Sequence, residues 1–302
     1  MKIAVVGLGK MGMQIVRKLV EDGHQIVAHD VSESATAEAG MHGAHQLNDK
    51  QAVVNAFGET QLILWLMIPA DFVDTALNEW LEIVPSGSII IDGGNSDFRL
   101  TAARSKLVEA KGSTMLDVGT SGGVWGYKNG FSMMVGGNEP AFRTIEPILI
   151  TMASPSGAYA HFGPSGAGHY VKMVHNAIEY GMMESLAEGY HLLKEGHYKD
   201  VDLAKAAEVW QHGSVVTSWL NDLTRQALEE NPELEGIDGF VAESGEARWS
   251  LEAARAKQIP MPSIEASFNV RLASQKGQVN YATKLLAAMR NKFGGHVINK
   301  DI

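Results

Sequence analysis

A ten-residue stretch, Lys172–Gly181, carries several side chains that can hold or transfer protons. An α-helix turns by 100° per residue, which places four of these side chains on one face, within about 100° of arc: Lys172, His175, Asn176 and Glu179. Tyr180 lies at the edge of this face. This face combines an amine that can accept a proton with an acid that can return one. Val174, Ile178 and Met182 point elsewhere and are expected to pack. The alternative is a solvated helix face with a simple Lys–Glu charge pair, which leaves the imidazole and the amide without a role.

Composition narrows the classes of protein. The chain has 302 residues and no cysteine, which excludes disulfides, thiolate chemistry and cysteine-type zinc sites and fits a cytoplasmic location. We expect no secretion signal and no membrane span, because the most apolar run, residues 62–68, is too short to cross a bilayer. A net charge of −10 argues against nucleic acid as a partner. An anionic ligand would therefore need a local cationic pocket.

The order of predicted elements divides the chain into two parts. In the first, continuously apolar runs typical of strands alternate with helix-like stretches. Such strands are covered on both faces, as in a mostly parallel, doubly wound α/β sheet. From about Gly166 onward, helical periodicity dominates, and one helix is expected from about Gly168 to Glu195. We predict an α/β domain over residues 1–165 and an all-α domain over residues 166–302.

The first predicted strand, Lys2–Val6, leads into a glycine-rich loop that opens a helix. The loop, Gly7-Leu8-Gly9-Lys10-Met11-Gly12, is a dinucleotide fingerprint in its required context, and its six residues are expected to contact the cofactor of a Rossmann-type domain. Asp30 ends the second strand; an acid there accepts hydrogen bonds from the adenosine ribose hydroxyls and repels a 2′-phosphate. The sequence therefore predicts NAD rather than NADP. Alternatively, Asp30 only caps the following turn.

Three further strand ends are relevant, because ligands of open α/β sheets bind beyond the carboxyl ends of strands. Met67 is expected to form an apolar wall for the nicotinamide. Asn95 follows two glycines and is expected to reach both nicotinamide and substrate. Ser121-Gly122-Gly123 can donate a hydroxyl and backbone N–H groups to a carboxylate. Each glycine pair is also common in ordinary turns.

These motifs together resemble the β-hydroxyacid dehydrogenase superfamily. Within it, Gly-Gly-Asn95-Ser, Lys172–Gly181 and Arg290-Asn-Lys-Phe-Gly-Gly-His296 are similar to the 6-phosphogluconate dehydrogenase family. The resemblance covers essentially the whole chain. Because the helical domain of that family is usually longer, the chain looks like a short form.

The resemblance implies a reaction of the pentose phosphate pathway. 6-Phospho-D-gluconate would be oxidised at C3 with reduction of NAD, then decarboxylated to D-ribulose 5-phosphate and CO₂. Lys172 would take the C3 hydroxyl proton as a neutral amine, so its pKa must be lowered by burial or a nearby cation, and it would then hold the developing oxyanion. Glu179 would protonate C1 of the enediol. No metal is expected to take part.

The resemblance also implies the substrate contacts. Ser121, Gly122 and Gly123 would bind the carboxylate, Asn95, His175 and Asn176 the hydroxyls, and Tyr180, Arg248, Arg271 and Arg290 the phosphate, with His296 beside them. In that family a neighbouring subunit supplies the segment from Arg290 to His296, so we expect a homo-oligomer, a dimer or tetramer, with a shared site. The alternatives are a helix-surface charge for Arg271 and a frayed basic terminus for the tail.

Two segments depart from the family pattern. Gly245-Glu246-Ala-Arg248-Trp249 stands where the family more often has Gly-Thr-Gly-Lys-Trp, so an arginine replaces a lysine at the phosphate. Residues 124–130 also differ, and Lys128 has no assigned role.

Two other functions stay open. A non-decarboxylating dehydrogenase of a small 3-hydroxy acid would share Lys172 and Asn176 but would not need Glu179 or the distal arginines. A dinucleotide-sensing or scaffold protein would be expected to have lost Lys172 or Glu179, and both are present.

Overall fold

The structure is a computed structural model that describes residues 1–296. Residues 297–302, the end of the predicted all-α domain, lie outside the described residues. Two compact units follow one another along the chain, the first over Met1–Met173 and the second from Val174 onward.

The first unit is built on one sheet, which has eight strands within residues 1–296. The strands are β1 (Lys2–Val6), β2 (Gln25–His29), β3 (His45–Gln46), β4 (Ile63–Leu66), β5 (Ile89–Asp92), β6 (Thr114–Ser121), β7 (Ser132–Gly137) and β8 (Tyr159–His161). Their order is β3-β2-β1-β4-β5-β6-β7-β8, and each adjacent pair is parallel except β6–β7. The predicted mostly parallel sheet is confirmed.

Helices cover both faces of this sheet, because its strands are apolar on both sides. On β1, Ile3 and Val5 pack into one hydrophobic cluster, while Ala4 and Val6 pack into another. The helices of this unit are α1 (Lys10–Glu21), α2 (Glu33–Met41), α3 (Lys50–Phe57), α4 (Val73–Leu81), α5 (Phe98–Ala110), α6 (Gly126–Asn129) and α7 (Glu139–Ala153).

The rest of the described chain is helical. The long helix α8 (Ala167–Glu195) begins in the first unit and continues into the second, and its predicted extent is confirmed. It is followed by α9 (Leu203–Gln211), α10 (Trp219–Glu230), α11 (Glu246–Ala256), α12 (Pro262–Ser274) and α13 (Tyr281–Gly294). The second unit has its own apolar core, to which Met183, Tyr190 and Leu285 belong. Within the described residues, we find no helix whose length and apolar content would let it cross a bilayer.

The apolar residues of α8 outside the predicted proton-transferring face behave unexpectedly. Ile178 is 51% exposed and Met182 is 45% exposed. The expectation that they pack is therefore wrong for the single chain, because no element within residues 1–296 covers this side of the helix at those positions.

Candidate active site

The fingerprint loop leaves no room for side chains at two of its glycines. A Cβ on Gly7, whose φ is +91°, would lie 2.4 Å from the carbonyl oxygen of Met67. A Cβ on Gly12 would lie 1.9 Å from the carbonyl oxygen of Gly7. Gly9 instead faces open space and caps α1 without a side-chain hydrogen bond. The first N–H groups of α1 and its positive dipole end therefore form a cradle that fits a pyrophosphate.

Asp30 supports this loop from the end of β2. Its Oδ2 accepts a hydrogen bond from the Leu8 N–H at 2.6 Å, and its Oδ1 accepts one from the Ser32 N–H at 2.8 Å. The carboxylate thus caps the turn, as the alternative interpretation required, and also fixes the fingerprint loop. Each oxygen has a further lone pair, so these bonds are compatible with a ribose contact.

The other predicted cofactor residues differ in exposure. The side chain of Leu8 is buried in the core, so this residue can meet a ligand only through its backbone. Lys10 is exposed and Met11 packs partly against the core. Met67 is half-buried, and its Sδ accepts a hydrogen bond from the indole N–H of Trp65 at 3.2 Å.

A buried polar group underlies the turn that presents Asn95. Asn95 itself is exposed after β5. Next to it, the Ser96 hydroxyl donates to Oδ2 of Asp92 at 2.7 Å, and the Arg104 guanidinium lies 3.4 Å from the same oxygen. Asp92 is fully buried and Arg104 nearly so. These two residues hold the turn, and sequence reasoning missed this role because the pairing joins β5 to a helix that follows it.

Strand β6 fixes the start of α8 and with it Lys172. The fully buried carboxylate of Asp117 accepts hydrogen bonds from the backbone N–H groups of Gly166 at 2.8 Å and His169 at 2.9 Å. It therefore caps the first turn of α8 and complements the helix dipole. A Cβ on Gly119 would lie 2.2 Å from the Cβ of Lys172, so the lysine packs directly on the strand and is only 5% exposed.

The same strand ends in the predicted carboxylate loop. Gly122 and Gly123 both have positive φ, +126° and +52°. The segment that follows is attached to α1: Lys18 Nζ donates to the Tyr127 carbonyl at 3.0 Å, and the Tyr127 N–H donates to Oε1 of Gln14 at 3.2 Å. The side chain of Lys128 is exposed. The loop that departs from the family pattern thus rests on the helix of the fingerprint.

Within the second unit, α8 is connected to the start of α11. His175 Nδ1 lies 2.9 Å from Oδ1 of Asn176, and Nδ2 of Asn176 donates to Oε1 of Glu246 at 3.0 Å. The other oxygen of Glu246 accepts from the Ser244 hydroxyl at 2.6 Å. Glu246 is 3% exposed. Sequence reasoning missed it, although its position in the departing Gly245–Trp249 motif was a signal.

Arg271 and Arg290 are both buried in the second unit. Arg271 is 2% exposed, so its alternative as a surface charge is wrong, and its guanidinium carbon lies 3.2 Å from the centre of the Tyr180 ring. Burial lowers the pKa of Arg271 to about 10, and the charge of Arg290 acts in the same direction. Burial also lowers the pKa of Arg290, against the opposing effects of Tyr180, Glu179 and Glu246.

These two arginines are equipped for an anion. Within residues 1–296, neither guanidinium forms an ion pair with a carboxylate. Both stay charged at neutral pH, and their planar donors match the oxygens of a phosphate.

The two remaining phosphate candidates, Arg248 and His296, are exposed and make other contacts. Arg248 is exposed and forms an ion pair with Glu243. It lines a cavity of about 430 Å³ together with Leu251 and Phe268. On α11 it stands about 200° around the helix from Glu246, so the two side chains point to opposite sides. His296 is exposed, and its carbonyl accepts from Nδ2 of Asn291 at 2.8 Å.

One buried acid of α8 was not anticipated from the sequence. Glu184 lies one turn after Tyr180 and is 6% exposed. Burial raises its pKa to about 7, and the charge of Glu188 adds to this, while Arg271 opposes it. In the part of the chain that the structure describes, no three His, Asp or Glu side chains are grouped to hold a metal ion.

A glycine loop that cradles phosphates, with an acid at the end of the second strand, defines a dinucleotide-binding protein. The polar face of α8, with an amine and a carboxylate, is compatible with the acid–base chemistry of a dehydrogenase. Residues 2–163 match the NAD binding domain of 6-phosphogluconate dehydrogenase, and residues 168–299 match the C-terminal domain of 6-phosphogluconate dehydrogenase. The chain belongs to the 6-phosphogluconate dehydrogenase family.

Individual relatives agree with this assignment. The NAD(+)-dependent, decarboxylating 6-phosphogluconate dehydrogenase of Haloferax volcanii is 38% identical over 100% of both chains. The Plasmodium falciparum 6-phosphogluconate dehydrogenase structure has a TM-score of 0.82 at 28% identity, covering 91% of this chain and 62% of that longer one. A Mycobacterium tuberculosis 3-hydroxyisobutyrate dehydrogenase has a TM-score of 0.73 at 22% identity, covering 94% and 97%, a likeness of fold alone.

Proposed function

We propose that this chain oxidises and decarboxylates 6-phospho-D-gluconate to D-ribulose 5-phosphate and CO₂, with NAD as the oxidant. One observation carries the proposal: α8 presents a buried lysine and a carboxylate on one face, Lys172 and Glu179, next to a tyrosine on which a buried arginine stacks. The full-length similarity to an NAD(+)-dependent, decarboxylating relative supports the same reaction.

Lys172 acts first as a base and then as an acid. Its neutral amine accepts the proton of the C3 hydroxyl during oxidation. Bound NAD supplies the acceptor for the hydride from C3. The product is a ketone β to the carboxylate, and loss of CO₂ places negative charge on the C3 oxygen. The lysine, now protonated, stabilises that oxygen, as a donor in a desolvated site does most effectively.

Glu179 completes the reaction by protonating C1 of the enediol, while the hydroxyl proton on the neighbouring carbon, whose oxygen Lys172 holds, returns to the lysine and then to solvent. It stands seven residues after Lys172, which places it about 20° away around the helix and about 10 Å along its axis. Two long side chains on one face can converge on an extended six-carbon sugar acid. The carboxylic acid form of Glu179 is needed for this step, so it must gain a proton from solvent in each cycle.

The remaining residues bind the ends of the substrate and the cofactor. Ser121, Gly122 and Gly123 hold the carboxylate, Asn95, His175 and Asn176 hold hydroxyls, and Tyr180, Arg271 and Arg290 hold the phosphate, with Arg248 and His296 as further phosphate candidates. Asp30 selects NAD, because a 2′-phosphate would meet its carboxylate.

We further propose that the chain works as a homo-oligomer. Large apolar side chains are exposed on the second unit, among them Ile178, Met182, Val215 and Trp219. Ile178 and Met182 stand one turn apart on α8, and neighbouring exposed apolar side chains favour an interface. The family resemblance assigns Arg290 to the site of a neighbour. Which subunit uses Arg290 is a question for a subunit-mixing experiment.

The reaction is tested by mixing the protein with NAD and 6-phosphogluconate and following NADH and CO₂ together. We expect one CO₂ for each NADH. NADH without CO₂ would favour a non-decarboxylating dehydrogenase of a small 3-hydroxy acid, and 3-hydroxyisobutyrate serves as the control substrate. Neither product would leave only a dinucleotide-binding role.

A further inference from the structure

Glu246 is a buried acid that the reaction itself does not use. Its carboxylate lies at the start of α11 and is 3% exposed. Both of its oxygens accept hydrogen bonds, Oε1 from Nδ2 of Asn176 at 3.0 Å and Oε2 from the Ser244 hydroxyl at 2.6 Å. The backbone N–H of Ser244 in turn donates to the Tyr180 hydroxyl at 3.4 Å. Glu246 is therefore held by Asn176 of α8 on one oxygen and by Ser244, just before α11, on the other.

The chemistry of a carboxylate decides the orientation of the Asn176 amide. A carboxylate can only accept hydrogen bonds, so the amide atom that faces Glu246 must be the NH₂ group. The carbonyl oxygen, Oδ1, then faces Nδ1 of His175 at 2.9 Å. Because that oxygen can only accept, Nδ1 must carry the proton. In the neutral ring the lone pair consequently falls on Nε2.

We infer that Glu246 is a positioning residue that fixes His175 as its Nδ1–H tautomer through the side chain of Asn176. The inference rests on the proposed function, in which His175 binds a substrate hydroxyl. With the lone pair on Nε2, the imidazole accepts a hydrogen bond from that hydroxyl. The opposite tautomer would present a donor there instead.

The same network orders Asn176, the second residue proposed to bind a hydroxyl. One carboxylate thus sets the donor and acceptor directions of two neighbouring substrate contacts. Glu246 stands where the family motif more often has threonine, so the resemblance does not supply this role.

The test combines Glu246→Leu with Glu246→Gln. Leucine cannot accept the amide hydrogen bond, so Asn176 loses its fixed orientation and the tautomer of His175 becomes mixed. Glutamine can direct its carbonyl oxygen to Asn176 and its NH₂ to the Ser244 hydroxyl, so the tautomer is kept. A matched control is Glu265→Gln, which removes an exposed carboxylate of the same unit that pairs with Arg255.

Two measurements are made on each variant. Solid-state NMR of protein labelled with ¹⁵N-histidine reports which ring nitrogen carries the proton, with the His175 signals assigned by their loss in His175→Gln. The spectra are recorded above pH 8, where an ordinary imidazole, with a pKa of about 6.5, is neutral. Steady-state kinetics give kcat/KM for 6-phosphogluconate.

We expect the Nδ1–H form in the wild type, Glu246→Gln and Glu265→Gln, and a mixture in Glu246→Leu with kcat/KM lower by roughly threefold to tenfold. An Nε2–H wild type would overturn the inference, even if Glu246→Leu fails to fold. An unchanged tautomer in Glu246→Leu would also overturn it. So would an equal loss of activity in Glu246→Gln with its tautomer intact, since the charge on Glu246 would then be the cause. If the wild type does not turn over 6-phosphogluconate, the proposed function fails, while the spectra still report on the tautomer.

Discussion

Glu184→Gln is expected to change how the stability of the protein depends on pH. In the folded chain, burial raises the pKa of Glu184 from 4.5 to about 7. Between these values the folded state binds a proton that the unfolded state has released. The free energy of unfolding therefore falls as the pH rises from 4.5 to 7. Glutamine has no such proton, so the variant does not carry this loss.

The size of the effect follows from the shift. A difference of 2.5 pH units, from 4.5 to about 7, corresponds to about 3 kcal/mol at most, at 1.36 kcal/mol per unit. Because part of the change lies below pH 5, we expect the variant to gain about 2–3 kcal/mol on the wild type between pH 5 and pH 8. The side chain is 6% exposed, so little of this is lost to solvent screening.

The assay is urea unfolding of both proteins at pH 5, 6, 7 and 8 and at one protein concentration, since oligomers gain stability by mass action. Glu265→Gln is the control, because the carboxylate that it removes is exposed and is not destabilised by burial. Parallel pH dependences for the wild type and Glu184→Gln would refute the reasoning that burial keeps this acid protonated.

Five further predictions concern the site. Lys172→Met should abolish oxidation and leave NAD binding unchanged in calorimetry, and Glu179→Gln should slow turnover; full activity of either would contradict its role. Gly119→Ala brings a Cβ to 2.2 Å from the Cβ of Lys172 and should lower kcat by about a hundredfold. The control, Gly189→Ala, lies on open helix surface; it should leave kcat unchanged and raise the free energy of unfolding by up to about 1 kcal/mol. Asp30→Ala should lower kcat/KM with NAD and reduce the ratio of kcat/KM with NAD to kcat/KM with NADP. If this ratio does not change, Asp30 acts only as a turn cap. Refolding Lys172→Met together with Arg290→Ala should restore about a quarter of wild-type activity if the dimer neighbour supplies Arg290, and none if each chain uses its own.

The fold was largely predictable because its apolar pattern is strong. Strand β1 has the predicted bounds, and α8 begins one residue before the predicted start. The elements that were missed have little apolar pattern of their own. In α2 only Thr36 and Ala39 are buried, and β3 has two residues, both exposed. Such elements form because the neighbouring chain provides hydrogen-bond partners and a surface, which the local sequence does not reveal.

The candidate site was predictable only at residues whose chemistry and spacing are local. The fingerprint loop and the polar face of α8 belong to this kind. The residues that hold them in place, Asp92, Asp117 and Glu246, are acids whose role depends on burial against distant segments. Likewise, no pattern within α12 distinguishes the nearly inaccessible Arg271 from a surface arginine.

A crystal structure with bound 6-phosphogluconate tests most directly the claim that one helix carries both the base and the acid. The account predicts Nζ of Lys172 within about 2.6–3.2 Å of the C3 hydroxyl, the Glu179 carboxyl group facing the carbons beside it, and the phosphate on Arg271. A substrate whose C3 hydroxyl meets a different base, with Lys172 out of reach, would contradict it.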